Sequence, residues 1–147
     1  EIQLHTGFDV IDLNNKNIGH FDYEFKNGQD DFNELFKQIV NTYDTIIFAT
    51  PVYWYTMSGM LKVFLDRISD FLFQEKEYGR LLRGKNIALV SCNCDEEYFE
   101  GFEVPFIKSA DYLGMDFIAL PLTDTRMSQY VIYKRKLLYN LFQLIYL

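Results

Sequence analysis

The sequence predicts an α/β protein in which helices cover a parallel sheet. Short apolar runs alternate with segments of helical periodicity, the runs lack the in-out alternation of exposed strands, and turn-forming residues separate the elements. A chain of 147 residues that is 49% hydrophobic suits one domain with one core. We therefore expect residues 1–147 to form a single domain.

Four short apolar runs are predicted strands. Phe8 to Leu13 is the first, and its position before a polar stretch is typical of a strand end. Thr45 to Thr50 and Ile87 to Cys92 lack alternation, which predicts strands buried on both faces of a sheet. Met115 to Leu122 is the fourth predicted strand.

The first two predicted helices come before and after the second predicted strand in the sequence. One begins where Asp31 and Glu34 form a capping box, and its apolar residues recur at the helical period as far as Tyr43. The other begins at Gly59 and carries an apolar stripe through Leu72.

Two further helices are predicted in the second half. The third has Pro105 in its first turn and ends at Gly114, which suits a left-handed cap. The fourth covers Ser128 to Leu147. We expect loops over Asn14 to Asp30 and Gln74 to Arg83 because both stretches are polar or charged.

Charge and apolar content exclude several classes of partner. The formal charge of −7 opposes binding to nucleic acid, which depends on clustered Lys and Arg. No stretch approaches the roughly 20 apolar residues of a membrane span, and no signal peptide is visible. We therefore expect a soluble protein with no nucleic-acid or membrane partner.

The cysteines and histidines predict neither a disulfide nor a metal site. Cys92 and Cys94 are the only cysteines, which indicates a reducing compartment and favours the cytoplasm. A tetrahedral site would need two more ligands, and His5 and His20 are the only histidines.

The turn after Thr45 to Thr50 is the most unusual segment. It places Tyr53, Trp54 and Tyr55 in succession where ligands bind in parallel sheets, beyond the carboxyl ends of the strands. Exposed aromatic rings there suit a flat heteroaromatic ligand. The alternative is that they pack on a neighbouring subunit or beneath the next helix.

Two stretches resemble the NADPH-dependent FMN reductase family. The first runs from Tyr43 to Trp54 and continues through Met57 to Arg67, with Ser58-Gly59, Leu61-Lys62 and Asp66-Arg67 in order. The second runs from Phe99 to Met115. The resemblance covers roughly Asp9 to Leu122 and implies a flavodoxin-like three-layer sandwich, whose parallel sheet has the strand order 2-1-3-4-5.

The resemblance implies an FMN-dependent NAD(P)H oxidoreductase. Such a protein transfers hydride from NAD(P)H through FMN to a quinone, azo, nitro or flavin acceptor, and the cofactor carries the chemistry, so no catalytic acid or nucleophile is identified. A homodimer is implied, with Tyr55 or the aromatic turn at the contact. The implied flavin-binding residues are Thr50, Pro51, Val52, Tyr53, Trp54 and Met57 in one turn and Cys92, Asn93 and Cys94 in the other.

The chain departs from the family pattern at its start. Relatives open with a strand, a Ser- and Gly-containing phosphate loop and a helix, and this sequence shows only Glu1 to Thr6 as the end of such a helix. We therefore expect an N-terminally incomplete domain. Two alternatives stay open: a flavin-free flavodoxin-like scaffold or binding domain, and a flavodoxin-type electron carrier.

Three charged residues of the family motif receive a structural interpretation. Lys62 and Asp66 are spaced as an i,i+4 pair on a helix, which contributes only a few tenths of a kcal/mol. Arg67 is placed with them. We expect none of the three to take part in the chemistry.

Overall fold

The computed structural model of the protein describes residues 9–92 and 100–118. These residues form helices α1 (Asp31–Thr42), α2 (Gly59–Phe73), α3 (Lys76–Arg80) and α4 (Val104–Leu113) and strands β1 (Thr45–Pro51), β2 (Asn86–Cys92) and β3 (Asp116–Ile118). The predicted helix over Ser128 to Leu147 and the part of the last predicted strand after Ile118 lie outside the described residues.

The described strands form one parallel sheet in the order β1-β2-β3. β1 and β2 are paired over their full length, with Thr45 opposite Asn86 and Pro51 opposite Cys92. Helices connect the strands in sequence, which confirms the predicted α/β class. Because β1 and β2 end in register, Pro51 and Cys92 lie side by side at the carboxyl edge.

One hydrophobic core joins α1, α2 and α4 to the same face of the sheet. Aromatic rings make up much of it. Phe36 of α1 stacks on Phe71 of α2 with ring centroids 4.4 Å apart, and Phe48 of β1 contacts Phe64 of α2 and Phe106 of α4 at 6.3 and 6.1 Å. The apolar stripes predicted from the helical period therefore face this core.

The opposite face of β1 differs from the prediction. Ile46 and Phe48 point toward the core, whereas Thr45 and Ala49 are exposed, so the strand is covered on one face. Within the described part of the chain, β1 pairs only with β2. β2 fits the prediction because its residues from 87 to 91 are buried.

The predicted first strand is wrong over its described part. Residues 9–12 have no regular structure, and Leu13–Asn15 form a single turn of 3-10 helix. The Asp12 side chain accepts hydrogen bonds from the Asn14 backbone N–H at 2.9 Å and from both neighbouring asparagine side chains, which favours a turn. Ile11 and Leu13 still pack against the core.

The cap of α1 also differs from the prediction. Asp30, rather than Asp31, is the N-cap, and its carboxylate accepts a hydrogen bond from the Phe32 N–H at 3.0 Å. Asp31 instead accepts a hydrogen bond from the Asn17 N–H at 2.7 Å. Thus Asp31 ties the preceding loop to the helix, and no capping box with Glu34 forms.

Arg67 of α2 makes the main polar cluster of the described interior. Its side chain is 1% exposed and forms ion pairs with Asp30 at 2.5 Å and Asp70 at 2.7 Å. It also donates hydrogen bonds to the carbonyls of Gly19 and Asn27 at 3.0 and 3.1 Å. One guanidinium therefore holds the loop before α1 against α2, which supports the structural role predicted for it.

The pKa values of the two carboxylates beside Arg67 are shifted in opposite directions. Burial alone would raise the pKa of Asp30, but hydrogen bonds from Arg67 and from the Gly19 and Phe32 N–H groups lower it below its usual range. Burial raises the pKa of Asp70, and the hydrogen bond from Arg67 offsets only part of that effect. Asp30 is the more tightly bound partner.

Two further predictions on α2 and α4 are confirmed, and one on the segment between them is wrong. The Lys62 and Asp66 side chains form the expected exposed i,i+4 pair on α2. The prediction of a loop from Gln74 to Arg83 is wrong over Lys76–Arg80, which forms the short α3. Gly114 ends α4 with φ 72°, the left-handed conformation that the sequence predicts there.

Candidate functional site

The candidate site lies where β1 passes into α2 at the carboxyl edge of the sheet. Seven residues, 52–58, connect the two elements, and we call them the aromatic loop. Their sequence is Val-Tyr-Trp-Tyr-Thr-Met-Ser, without a charge and without a glycine. The loop therefore offers aromatic faces and backbone groups at the position where α/β sheets bind ligands.

The three aromatic side chains of this loop face outward. Tyr53 is 58% exposed, Trp54 93% and Tyr55 68%. Large aromatic side chains are usually highly buried, so three neighbouring exposed rings form an unusual surface. The loop is not folded inward against its own helices, and the rings are accessible to a ligand or partner.

The tip of the loop is a tight two-residue hairpin. The Tyr53 N–H donates to the Thr56 carbonyl at 2.8 Å, and the Thr56 N–H donates to the Tyr53 carbonyl at 3.0 Å. Between them, Trp54 and Tyr55 both have positive φ, 49° and 65°. Positive φ at both central positions is the pattern of a type I′ turn, which ordinarily carries Asn-Gly.

This backbone is strained because neither central residue is glycine. A left-handed conformation costs an L-residue roughly 1 to 2 kcal/mol, and bulky side chains adopt it rarely. Such strain persists where the surroundings hold it in place, and it concentrates at functional sites. The geometry of Trp54 and Tyr55 is therefore a physical indication of function that exposure alone does not give.

Two anchors hold the loop to the body of the protein. Met57 is 4% exposed and belongs to the core, and Val52 packs partly against it. Thr50 is fully buried at the end of β1; its hydroxyl donates to the Pro51 carbonyl at 3.0 Å and accepts from the Ser58 N–H at 2.9 Å. One hydroxyl thus joins the beginning of the loop to its end.

Ser58 connects the loop to α2. Its hydroxyl accepts a hydrogen bond from the Leu61 N–H at 3.3 Å, so Ser58 is the N-cap of the helix. The Thr50 hydroxyl and the Ser58 cap therefore fix the helix start relative to the strand end.

The second segment assigned to the site begins beside the first. Cys92 lies opposite Pro51 in the paired strands, so the last residues of β1 and β2 are neighbours at this edge. Asn93 and Cys94 lie outside the described residues. The structure thus brings together Thr50 to Trp54, Met57 and the backbone of Cys92.

Two residues were missed by sequence reasoning about the site. Tyr55 was assigned only to a possible subunit contact, although it shares the strained turn with Trp54. Ser58 was not singled out for its backbone bond to Thr50, eight positions earlier. A serine before a helical stripe is a cap signal, but nothing in the sequence reveals a positive φ at an aromatic residue.

The described residues fit the ring of a flavin better than its phosphate. Neutral aromatic faces and nearby backbone groups suit a flat heteroaromatic system. A phosphate needs clustered N–H groups or cations, and the aromatic loop contains neither glycine nor a charged side chain. The aromatic loop therefore matches only the ring portion of such a cofactor.

The described residues contain neither a metal-binding cluster nor a membrane-spanning helix. Over residues 9–92 and 100–118, no group of three or more His, Cys, Asp or Glu side chains is placed to hold a metal ion. In the same ranges, no helix is both long and apolar enough to cross a membrane.

Comparison with known proteins identifies relatives that are named for FMN and NAD(P)H. A family model described as NADPH-dependent FMN reductase matches residues 3–101. A Bacillus subtilis (strain 168) protein, provisionally named NAD(P)H-dependent FMN-containing oxidoreductase YwqN, is 29% identical over 108 residues. That match covers 69% of this chain and 58% of the relative, so the chain spans little more than half of the curated relative's length.

Two solved structures have a fold similar to that of this chain. The Trp repressor binding protein from Bacillus subtilis is 28% identical with a TM-score of 0.54, and the match covers 59% of this chain and 58% of that protein. A P. pentosaceus protein described as an NADPH-quinone reductase is 20% identical with a TM-score of 0.52, covering 64% and 66%.

These matches agree with the parallel sheet and its helices, and they confirm the flavodoxin-like fold implied by the sequence. The family match spans 99 of the 147 residues, counted from 3 to 101, which is two thirds of the chain. It includes β1, the aromatic loop, α2 and β2. The chain belongs to the NADPH-dependent FMN reductase family.

Proposed function

We propose that the protein binds FMN with the flavin ring against the aromatic loop and acts as an FMN-dependent NAD(P)H oxidoreductase. The observation that carries this proposal is the strained, exposed Trp54-Tyr55 turn at the carboxyl edge of the sheet. Membership of an FMN reductase family supplies the identity of the ligand. A turn held open at an energetic cost is explained if its rings and backbone groups contact a flat ligand.

Bound FMN supplies the redox chemistry, because it can accept a hydride from NAD(P)H and pass the electrons to an acceptor. The chain's own residues supply position. Tyr53 and Trp54 would border the ring, and Thr50, Pro51 and Val52 would fix the backbone beside it. Met57, which is buried in the core, holds the end of the loop that leads into α2.

The backbone leaving β2 is the proposed second boundary of the ring. Cys92 lies opposite Pro51, which places the start of the Cys92-Asn93-Cys94 segment next to the start of the aromatic loop. Residues from both segments would then border one ligand. No residue of the chain is assigned as a catalytic acid or base, because bound FMN would supply the redox chemistry.

The acceptor and the assembly belong to the same proposal. The proposed electron acceptor is a quinone, azo, nitro or flavin compound, which would take the place of NAD(P)H beside the aromatic loop. Exposed aromatic residues are enriched at subunit contacts, so we also propose a homodimer in which Tyr55 contributes to the interface.

The experiment combines binding and turnover in the purified protein. We expect a flavin absorption band after incubation with FMN and removal of free cofactor, and NADPH oxidation that requires both protein and FMN. A colourless protein without NADPH oxidation would contradict the proposal. Bound FMN that neither NADPH nor NADH reduces would reject the oxidoreductase in favour of an electron carrier.

Paired substitutions test the loop itself. Trp54→Ala should weaken FMN binding about tenfold, equivalent to about 1.4 kcal/mol, because it removes the most exposed ring. Trp54→Phe keeps an aromatic face and should retain most of the affinity. Tyr112→Ala removes an exposed ring from α4 and is the matched control, with no expected effect.

A further inference from the structure

Thr50 is a buried polar residue with an unusual position in the candidate site. It follows Ile46 and Phe48 at alternate positions on the core-facing side of β1, yet it is a threonine and is fully buried. Its hydroxyl has one hydrogen to donate, and that hydrogen goes to the Pro51 carbonyl. Thr50 is therefore committed to contacts inside the protein.

The second bond of the hydroxyl spans the aromatic loop. The Ser58 N–H donates to it at 2.9 Å, eight positions along the chain. The loop is thus closed at its base by Thr50 and at its tip by the pair of hydrogen bonds between Tyr53 and Thr56. Two closures in one short loop leave little freedom for the strained residues between them.

The strained turn depends on such closures. Trp54 and Tyr55 would relax to negative φ if the loop were free to change shape, because their conformation is unfavourable for L-residues. Loss of the Thr50 hydroxyl would leave the Ser58 N–H and the Pro51 carbonyl without this partner. Both groups are partly buried, so the loop would rearrange to satisfy them.

We propose that Thr50 is a positioning residue that sets the affinity for FMN without contacting it through its hydroxyl. The Thr50 hydroxyl holds the aromatic loop in the shape that presents Tyr53 and Trp54 to the ring. This inference rests on the proposed function for its flavin readout, whereas the control of loop shape is independent of it.

The chain provides a direct probe of loop shape. Trp54 is the only tryptophan in the sequence, so intrinsic tryptophan fluorescence comes from the tip of the loop alone. Its anisotropy in the protein without added flavin reports how tightly the tip is held. The same samples can then be titrated with FMN.

The test compares Thr50→Val with Thr50→Ser. Valine keeps the shape but removes the hydroxyl, and serine restores it. We expect Thr50→Val to lower the Trp54 anisotropy and to weaken FMN binding about tenfold. Thr50→Ser should keep the original anisotropy and affinity. Thr45→Val, about 16 Å away at the exposed start of β1, is the control.

A second pair keeps the test decisive if Thr50→Val does not fold. Ser58 has φ −58°, which proline accepts, and Ser58→Pro replaces the N–H donor with a ring carbon that cannot bond to the Thr50 hydroxyl and would push it away. Ser58→Ala removes only the capping hydroxyl. We expect Ser58→Pro to reduce the Trp54 anisotropy and FMN affinity beyond the effect of Ser58→Ala.

The outcomes separate the two proposals. Unchanged Trp54 anisotropy and FMN affinity in Thr50→Val, or equal losses in Thr50→Val and Thr50→Ser, would overturn the role of the hydroxyl. If the unmodified protein does not bind FMN, the proposed function fails, and an anisotropy loss confined to Thr50→Val and Ser58→Pro still supports the closure of the loop.

Discussion

At the scale of single residues, Arg67 is the one on which the most contacts depend. It satisfies two carboxylates and two backbone carbonyls while remaining 1% exposed. A buried ion pair is weak proof of net stabilisation, but removing one partner leaves uncompensated buried charge. The main effect of the Arg67 side chain on stability is therefore to neutralise the buried carboxylates of Asp30 and Asp70.

Replacement of Arg67 should show this directly. We expect Arg67→Met to lower the free energy of unfolding by about 3 to 5 kcal/mol, because both carboxylates lose their buried cation. The measurement is urea denaturation. Lys62→Met breaks an exposed pair on the same helix and should cost only about 0.2 to 0.5 kcal/mol. Similar losses for the two variants would contradict the account of the cluster.

Asp30 gives the cluster a pH dependence. Its pKa is lower in the folded protein than in the unfolded chain, so its stabilising contribution is complete above the unfolded pKa and is lost as the pH falls through the folded pKa. We expect the free energy of unfolding to decline below about pH 4, and to decline less steeply in Asp30→Asn. Denaturant titrations over this pH range measure both slopes.

The pH dependence that Asp70 contributes has the opposite direction, so Asp70 serves as an internal comparison. Its pKa is raised in the fold, so its contribution is complete below the unfolded pKa and is lost as the pH rises through the folded pKa. The unmodified protein should therefore lose some stability as the pH rises just above about 4, and Asp70→Asn should not show this loss. The same slope in both variants would show that the two carboxylates are not held differently.

At the scale of elements, the aromatic loop combines a stable base with a strained tip. Thr50, Met57 and Ser58 are held by burial or hydrogen bonds, whereas Trp54 and Tyr55 have positive φ. This combination is expected where a site is preorganised, because rigid support keeps an unfavourable conformation available for binding.

The strain can be measured with two variants at one position. Tyr55→Gly and Tyr55→Ala both remove the ring, but only glycine accepts φ 65° without strain. We expect the glycine variant to be the more stable by about 1 kcal/mol in urea denaturation, the reverse of the usual order. An alanine variant of equal or greater stability would mean that the turn is not strained.

At the scale of the whole molecule, most of the described secondary structure was predictable. Thr45 to Thr50 and Ile87 to Cys92 are short continuous apolar runs, and their length and composition favour strands without information from distant residues. Gly59 and Gly114 mark the beginning and end of helices through local chemistry.

The parts that were not predicted depend on distant partners or on backbone angles. Asp30 and Asp31 are adjacent and both suit an N-cap, and the Arg67 contact that fixes Asp30 in this place comes from 37 positions away. Asp9 to Leu13 has the composition of a strand, but the Asp12 side chain favours a turn there. The aromatic residues of the site were visible in the sequence, whereas the type I′ geometry of Trp54 and Tyr55 was not.

The central claim is that the aromatic loop holds a flat redox ring, and the most direct measurement is titration of the purified protein with FMN while the emission of Trp54 is followed. Trp54 is the only tryptophan, so the signal comes from the proposed site itself. We expect saturable quenching that ends at one FMN per chain. Binding of FMN without a change in Trp54 emission, or no binding at all, would contradict the claim.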